Sequence, residues 1–264
     1  MKSEKQSGFA VAAALALALT LAGAAAVLTA APSPGRASAP AAPRAQQKTK
    51  DKKPAAAPGV FVEDRGTFQV QVDGHPAGTE EFDIRPSAGE WTARGTAEVP
   101  GENGTTSKVT GKLELTPDGA PLRYEWTATA PRKASATIVF EGTTAKMEVR
   151  LEGANPYAQE FNFQSPPVVI LDNNMYHQYA ILARIYDWEH KEPKTYAVLI
   201  PQDLTPGSVT VEYGGPQVAD GQKFETLRVK AADLEIDLYC DNGRLMRLEV
   251  PASKAVIVRQ AAKK

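Results

Sequence analysis

The sequence predicts a mainly β protein, a strongly curved antiparallel meander with one central helix packed on its concave face. Three observations lead there. Runs of alternating apolar and polar residues recur between turn signals, at a spacing of roughly eight to twelve residues per strand and turn. One stretch, Val168 to Leu182, abandons that alternation, an apolar run and a polar triplet giving way to a helical period. A helix lying between two runs of meander is covered best by a sheet that wraps around it.

The chain does not begin with domain. Residues 9–31 are almost wholly apolar and Ala-rich and follow Lys2 and Lys5. That is the layout of a secretory signal, and the 23-residue apolar length also allows a retained membrane anchor. Leu21-Ala22-Gly23 resembles the start of a lipobox, but Ala24 stands where the lipidated cysteine belongs. Residues 32–58 carry six of the 20 prolines and the basic cluster Lys48, Lys50, Lys52 and Lys53. Such composition cannot bury a core, so it reads as a disordered Pro/Ala/Lys-rich linker with a reach of roughly 80 Å. The expected organisation is therefore signal or anchor (1–31), linker (32–58) and a single β-rich domain (59–264).

Charge divides along the same boundary. Residues 1–58 hold eight Lys/Arg against two Asp/Glu, a balance of +6, while the whole chain is −1; residues 59–264 therefore carry −7. An acidic domain argues against a nucleic-acid partner, which needs clustered basic surface. Membrane contact is expected only through the N-terminal segment, and the location is periplasmic or extracellular. The chain has one cysteine, so an intrachain disulfide is impossible and the domain must stand on its core. Cys240 shares a strand face with Leu234, Ile236 and Leu238 and reads as a small buried hydrophobe.

From Gly59 the strands follow in order. Thr67 to Val72 alternates strictly, Asp73-Gly74 turns, and Gly78 to Ile84 returns. Glu90 to Val99, Lys108 to Leu115, Leu122 to Thr129, Ser135 to Glu141 and Lys146 to Leu151 continue the meander. Leu122, Tyr124 and Trp126 line one face of their strand and Arg123, Glu125 and Thr127 the other, so one side is packed and one is wet. Pro166-Pro167 ends this half. The apolar run Val168 to Leu171 then meets Asp172-Asn173-Asn174, where Asn173 or Asn174 can cap a helix. On the wheel Met175, Tyr179, Leu182 and Tyr186 form one stripe, and Ile181, Ile185 and Trp188 widen it. A narrow polar strip remains, carrying His177 and Arg184, with Arg184 and Asp187 spaced to pair. A helix so apolar is a buried one. After Pro193 strands resume at Thr195 to Ile200, Ser208 to Tyr213, Lys223 to Lys230, Leu234 to Cys240, Arg244 to Val250 and Ala255 to Arg259. About a dozen strands result, joined by connections short enough to make neighbours antiparallel.

The hairpin Gly74…Gly78-Thr79-Glu80…Phe82-Asp83-Ile84 and the ending Leu238-Tyr239…Asp241-Asn242-Gly243-Arg244-Leu245…Leu248-Glu249-Val250-Pro251 resemble an uncharacterised family of secreted bacterial proteins. That resemblance implies the half-barrel or open barrel of the periplasmic lipoprotein carriers. It further implies a helical plug and an apolar interior able to take an acyl chain, and it brings no catalytic motif.

Chemistry is sparse. Asp172, His177, Asp187, Glu189 and His190 could supply a carboxylate–histidine base or a metal-ligand pair. His177 and His190 are thirteen residues apart, however, and no HExxH, CxxC or Gly-x-Ser-x-Gly occurs. No metal or cofactor is implied. His75, next to a hairpin turn, reads as a surface residue, and His177 can serve simply as a hydrogen-bond partner to the sheet. The aromatics Tyr176, Tyr179, Tyr186 and Trp188 read first as core, with Trp91, Trp126 and Phe140 as the facing wall. Where a ligand is bound, the expected contacts are His177, Arg184, Tyr176, Tyr179, Trp188 and Trp126. The expected function is non-catalytic binding of an apolar ligand, such as a lipid or acyl chain, or of a lipidated envelope partner. A structural or interaction module of the envelope and a hydrolase using the His177 region are the alternatives.

Overall fold

The computed structural model describes residues 59–260 apart from 101–104, 131, 165, 166, 202, 203 and 233. The signal or anchor and the linker lie outside the described residues. Within them the chain forms fifteen strands and one α-helix. The first half is a continuous meander of β1 (Asp64–Val72), β2 (His75–Ser87), β3 (Glu90–Pro100), β4 (Thr106–Leu115), β5 (Pro121–Ala128), β6 (Ala134–Glu141), β7 (Thr144–Leu151) and β8 (Tyr157–Asn162). Then β9 (Val168–Ile170) leads into α1 (His177–Ile185). The second half returns through β10 (Lys194–Ile200), β11 (Thr205–Ala219), β12 (Gln222–Lys230), β13 (Glu235–Asp241), β14 (Arg244–Val250) and β15 (Ala255–Arg259).

All fifteen strands belong to one sheet, ordered β8-β7-β6-β5-β4-β3-β2-β1-β15-β14-β13-β12-β11-β10-β9. The two meanders are joined through their outermost sequence elements: β1 pairs antiparallel with β15, from Phe68 opposite Arg259 to Val72 opposite Ala255. The sheet curves strongly without closing, since its edges β8 and β9 do not pair with each other. One connection departs from the expected antiparallel rule. Strands β9 and β10 pair in parallel, Val168 with Ala197 to Ile170 with Leu199, because α1 provides the crossover that a parallel pair requires.

The core is the concave side. Phe68, Ile138, Leu113, Tyr124 and Ile257 line it from the strands and are all 2 % exposed or less. Residues His177 to Ala183 of α1 are buried against it. A nine-residue helix is too short to be stable alone, so its packing sustains it. Among the described residues no helix is long and apolar enough to cross a membrane.

Several expectations require correction at the helix. It is shorter than the stripe suggested, stopping at Ile185 with Tyr186 extended (φ −70°, ψ 140°). Asp187 Oδ1 accepts the amides of Glu189 (3.0 Å) and His190 (3.1 Å), so the residues beyond form a local turn in place of another helical one. Its N-cap is Tyr176, in place of Asn173 or Asn174, and the Tyr176 side chain makes no cap bond. Asn174 takes a left-handed conformation (φ 64°) and serves as the corner. Finally, Arg184 does not pair with Asp187: its Nη1 donates to Asn242 O (3.1 Å), while Asp187 Oδ2 accepts from His190 Nδ1 (2.7 Å).

Candidate functional site

The residues predicted to meet a ligand do not form one strip; the structure distributes them over three places around α1. The first is a buried polar cluster at the start of the helix. Glu80, on β2, lies in phase with the core residues Phe82 and Ile84 and is fully buried. Its Oε2 accepts the backbone N–H of His177 (3.0 Å), and its Oε1 lies 2.5 Å from His177 Nδ1. A carboxylate from the opposite wall thus fills the role of a helix cap, where the free amides and the helix dipole favour negative charge. His177 is also fully buried, stacked beside Phe82 with ring centroids 6.3 Å apart, and its Nε2 has no hydrogen-bond partner among the described residues.

Beside this pair Tyr124, on β5, donates to Asp172 Oδ2 (2.7 Å), and Gln178 Oε1 accepts the Asp172 N–H (2.5 Å). Burial, with the nearby Asp172 carboxylate, pushes the Tyr124 hydroxyl well above its ordinary range. Two glycines leave room for the cluster. A Cβ on Gly95 would stand 2.5 Å from Glu80 Oε1 and 2.6 Å from His177 Nδ1, and one on Gly111 would stand 2.8 Å from the Tyr124 hydroxyl. Gly95 and Gly111 face each other across β3 and β4, with Trp126 next in the row on β5. Trp126 is buried in that wall and its indole N–H is unpartnered among the described residues.

The second place is an apolar cavity on the other side of the same segment. Tyr176 and Tyr179 line it with Leu171, Asp172, Asn173 and Asn174, facing Val198, Ile200, Val209, Val229, Ile236, Leu248 and Val250 of the second meander. Its volume is about 40 Å³. The interior is therefore largely filled by α1. Burial raises both tyrosine hydroxyls above their ordinary range, so they remain neutral in this wall.

The third place lies at the far end of the helix. Arg184 and Trp188 converge over Gly243, whose Cβ would lie 3.3 Å from Arg184 Nη1 and 3.5 Å from Trp188 Nε1. The remaining acid–base candidates are scattered. Asp187 and His190 pair in the open, the hydrogen bonds and charge of His190 holding the Asp187 carboxyl below its usual range. Among the described residues the hollow beside them offers no Ser, Thr or Cys side chain. Among the described residues no group of three or more His, Cys, Asp and Glu side chains could hold a metal ion.

Glu80 is the principal functional-site residue missed by sequence reasoning, although its signal was present: a carboxylate in phase with Phe82 and Ile84 must face inward. Asp64 and Arg259 carry the same signal, each in phase with buried neighbours on its strand.

A single open, curved sheet around one helix defines a class of beta-barrel-like proteins. The chain is similar in structure to a beta-barrel-like protein of the domain of unknown function DUF1849 from Brucella abortus, with a TM-score of 0.50 and 11% identity over 76% of this chain and 96% of that one. A DUF1089 family protein from Pseudomonas aeruginosa is similar at a TM-score of 0.43 and 10% identity, over 63% of this chain and 87% of that one. The first likeness shows the fold. No protein-family model and no curated protein matches the chain.

Proposed function

We propose that this is an exported cell-envelope protein that binds an apolar ligand, such as an acyl chain or the lipid of a lipidated partner, without catalysis. The observation that carries the reading is the cavity between residues 171–179 and strands β10 to β14, whose facing wall is aliphatic. Its position beside the corner at Asn174 supports the same reading, because a chain could enter there without crossing the sheet. A cavity of about 40 Å³ holds only the tip of a chain; engineered cavities that bind benzene measure roughly 150 Å³. Deeper entry therefore requires the rings of Tyr176 and Tyr179 to turn aside, which couples binding to movement of the lead-in to α1. The sealed His177 supports a non-catalytic role. Export rests on the apolar stretch 9–31 behind Lys2 and Lys5.

Displacement of a fluorescent fatty acid from the purified protein tests the reading. Saturable binding to the wild type, weakened at least tenfold in Val229→Phe, is the expected result, because the added ring fills the cavity. Absence of both extractable lipid and displacement overturns it. A second reading, an interaction module, is favoured by the exposed edge strand β8, where five of six residues are open to solvent.

A further inference from the structure

The cleft at the C-terminal end of α1 carries more positive charge than its own carboxylates neutralise. It measures about 440 Å³ and is lined by Arg184, Trp188, Lys191, Glu225, Asn242 and Gly243 together with Val60. Arg184 Nη1 donates to Asn242 O, and no carboxylate among the described residues pairs with this guanidinium. Partial burial and the charges of Arg244 and Arg259 press its pKa down, while Asp64 opposes them. Asp64 is already engaged: it takes two bonds from Arg259 Nη2 and Nη1 (2.6 and 3.1 Å) and an ion pair from Arg244 (3.0 Å). Glu225 accepts the Tyr213 hydroxyl and faces Lys191 Nζ at 3.6 Å. Asp241, in the turn, accepts from Asn242 Nδ2 (2.9 Å). In the lining of the cleft Arg184 and Lys191 thus outnumber Glu225, inside a domain whose overall charge is negative.

A partly buried guanidinium with only a carbonyl partner is costly unless an anion completes it. Its planar fork suits an oxyanion, and more than one cation suits a group with three or four oxygens. We propose that this cleft is a phosphate-binding site, with Arg184 as its principal ligand, Lys191 flanking it, and the Trp188 ring as its wall. The phosphate belongs either to a lipid headgroup or to a free phosphate compound. The site lies at the opposite end of α1 from the apolar cavity and does not depend on that cavity's being used.

The test uses the full-length chain at constant ionic strength. Inorganic phosphate is titrated while the indole N–H signal of Trp188, assigned with Trp188→Phe, is followed by NMR; Trp188 Nε1 donates to Ala183 O (2.8 Å) and so reports locally. In parallel, cosedimentation is measured with vesicles of phosphatidylglycerol in phosphatidylcholine and with phosphatidylcholine alone. The expected result is a saturable response to at least one phosphate source, weakened tenfold or more in Arg184→Gln and less in Arg184→Lys. Contributions from the basic N-terminal segment are common to all variants and cancel in the comparison. A response to phosphate alone assigns a free phosphate compound, and selective loss of phosphatidylglycerol-dependent pelleting in Arg184→Gln assigns a headgroup. Equal behaviour of wild type and Arg184→Gln in both arms, or no response in either, overturns the proposal. If Arg184→Gln does not fold, Lys191→Gln, whose side chain is 39% exposed, supplies the comparison.

Discussion

Glu80 and His177 form a buried pair in which the Glu80 carboxyl group meets both the ring Nδ1 and the backbone N–H of His177. Truncation in Glu80→Ala leaves the ring and backbone N–H groups of His177 without their acceptor. The expected cost is about 2–4 kcal/mol in urea unfolding, the range for stranding buried polar partners. Replacing both members, as Glu80→Leu with His177→Leu, is expected to cost less than the single truncation, because the imidazole is no longer stranded and only the backbone N–H at position 177 lacks its acceptor. Gly95 belongs to the same unit: Gly95→Ala drives a methyl into Glu80 Oε1, and its cost is expected to shrink in the Glu80→Ala background. A double-mutant cycle measures that coupling. Cys240 supplies a pH-dependent prediction. Burial pushes its thiol up to about 12, so the folded protein holds a proton that the unfolded chain releases at a lower pH, near the ordinary thiol value. Its contribution is fully present below roughly pH 8.5 and is lost as pH rises toward about 12, with a slope of at most about 1.4 kcal/mol per pH unit. Cys240→Ala is expected to flatten the alkaline limb of stability against pH, and a thiol reagent is expected to leave native Cys240 unmodified.

Helix α1 is held less by its own hydrogen bonds than by what the strands offer its first turn. Tyr124→Phe removes the donor to Asp172 and keeps the ring, so a loss of about 1–3 kcal/mol is expected, with faster amide exchange at residues 175–180 than on β1. An exchange pattern unchanged in α1 would show that the tether from β5 does not hold the helix. The elements differ in how plainly the sequence declares them, and the reason is burial on one face. Strands such as β2 and β5 alternate because one side is wet, which the residues record directly. Strand β8 escaped notice because only Phe161 of its six residues is buried, leaving no alternation to read. The end of α1 was overrun because Trp188 extends the apolar stripe, while the signal that stops the helix, the Asp187 side chain turning onto amides two and three residues ahead, is short and polar. Sequence reasoning recognises the helix as buried and gives His177 a hydrogen-bond partner in the sheet, but it does not say which residue that partner is. His177 faces the Glu80 carboxylate, and only a partner 97 residues away in the chain explains its position.

At the scale of the whole molecule, the decisive pairing is the one furthest apart in sequence. Without β1 beside β15 the two meanders would be separate sheets, each with an additional open edge. The charged pair Asp64–Arg259 sits at this seam with side chains 4% and 7% exposed, and Phe82 lies under the Arg259 guanidinium at 5.1 Å. Helix α1 belongs to both halves, since its cap comes from β2 while its body rests on β14. Neither half can therefore bury its own apolar face alone. A chain ending at Pro251, which lacks β15, is expected to lose the near-ultraviolet circular dichroism signal and the single cooperative unfolding transition together. A retained, sharp transition of smaller amplitude would instead show that one meander is an autonomous unit. In the intact chain, amide exchange is expected to be slowest at β1 and β15 and fastest at β8, because stability in one long sheet is greatest at its centre, where each strand has neighbours on both sides, and least at the open edge. Because the closing contact spans almost the whole domain, refolding is expected to be slow, on the order of milliseconds to seconds. Arg259→Ala should slow refolding further if the seam forms before the transition state, and speed unfolding alone if it forms after.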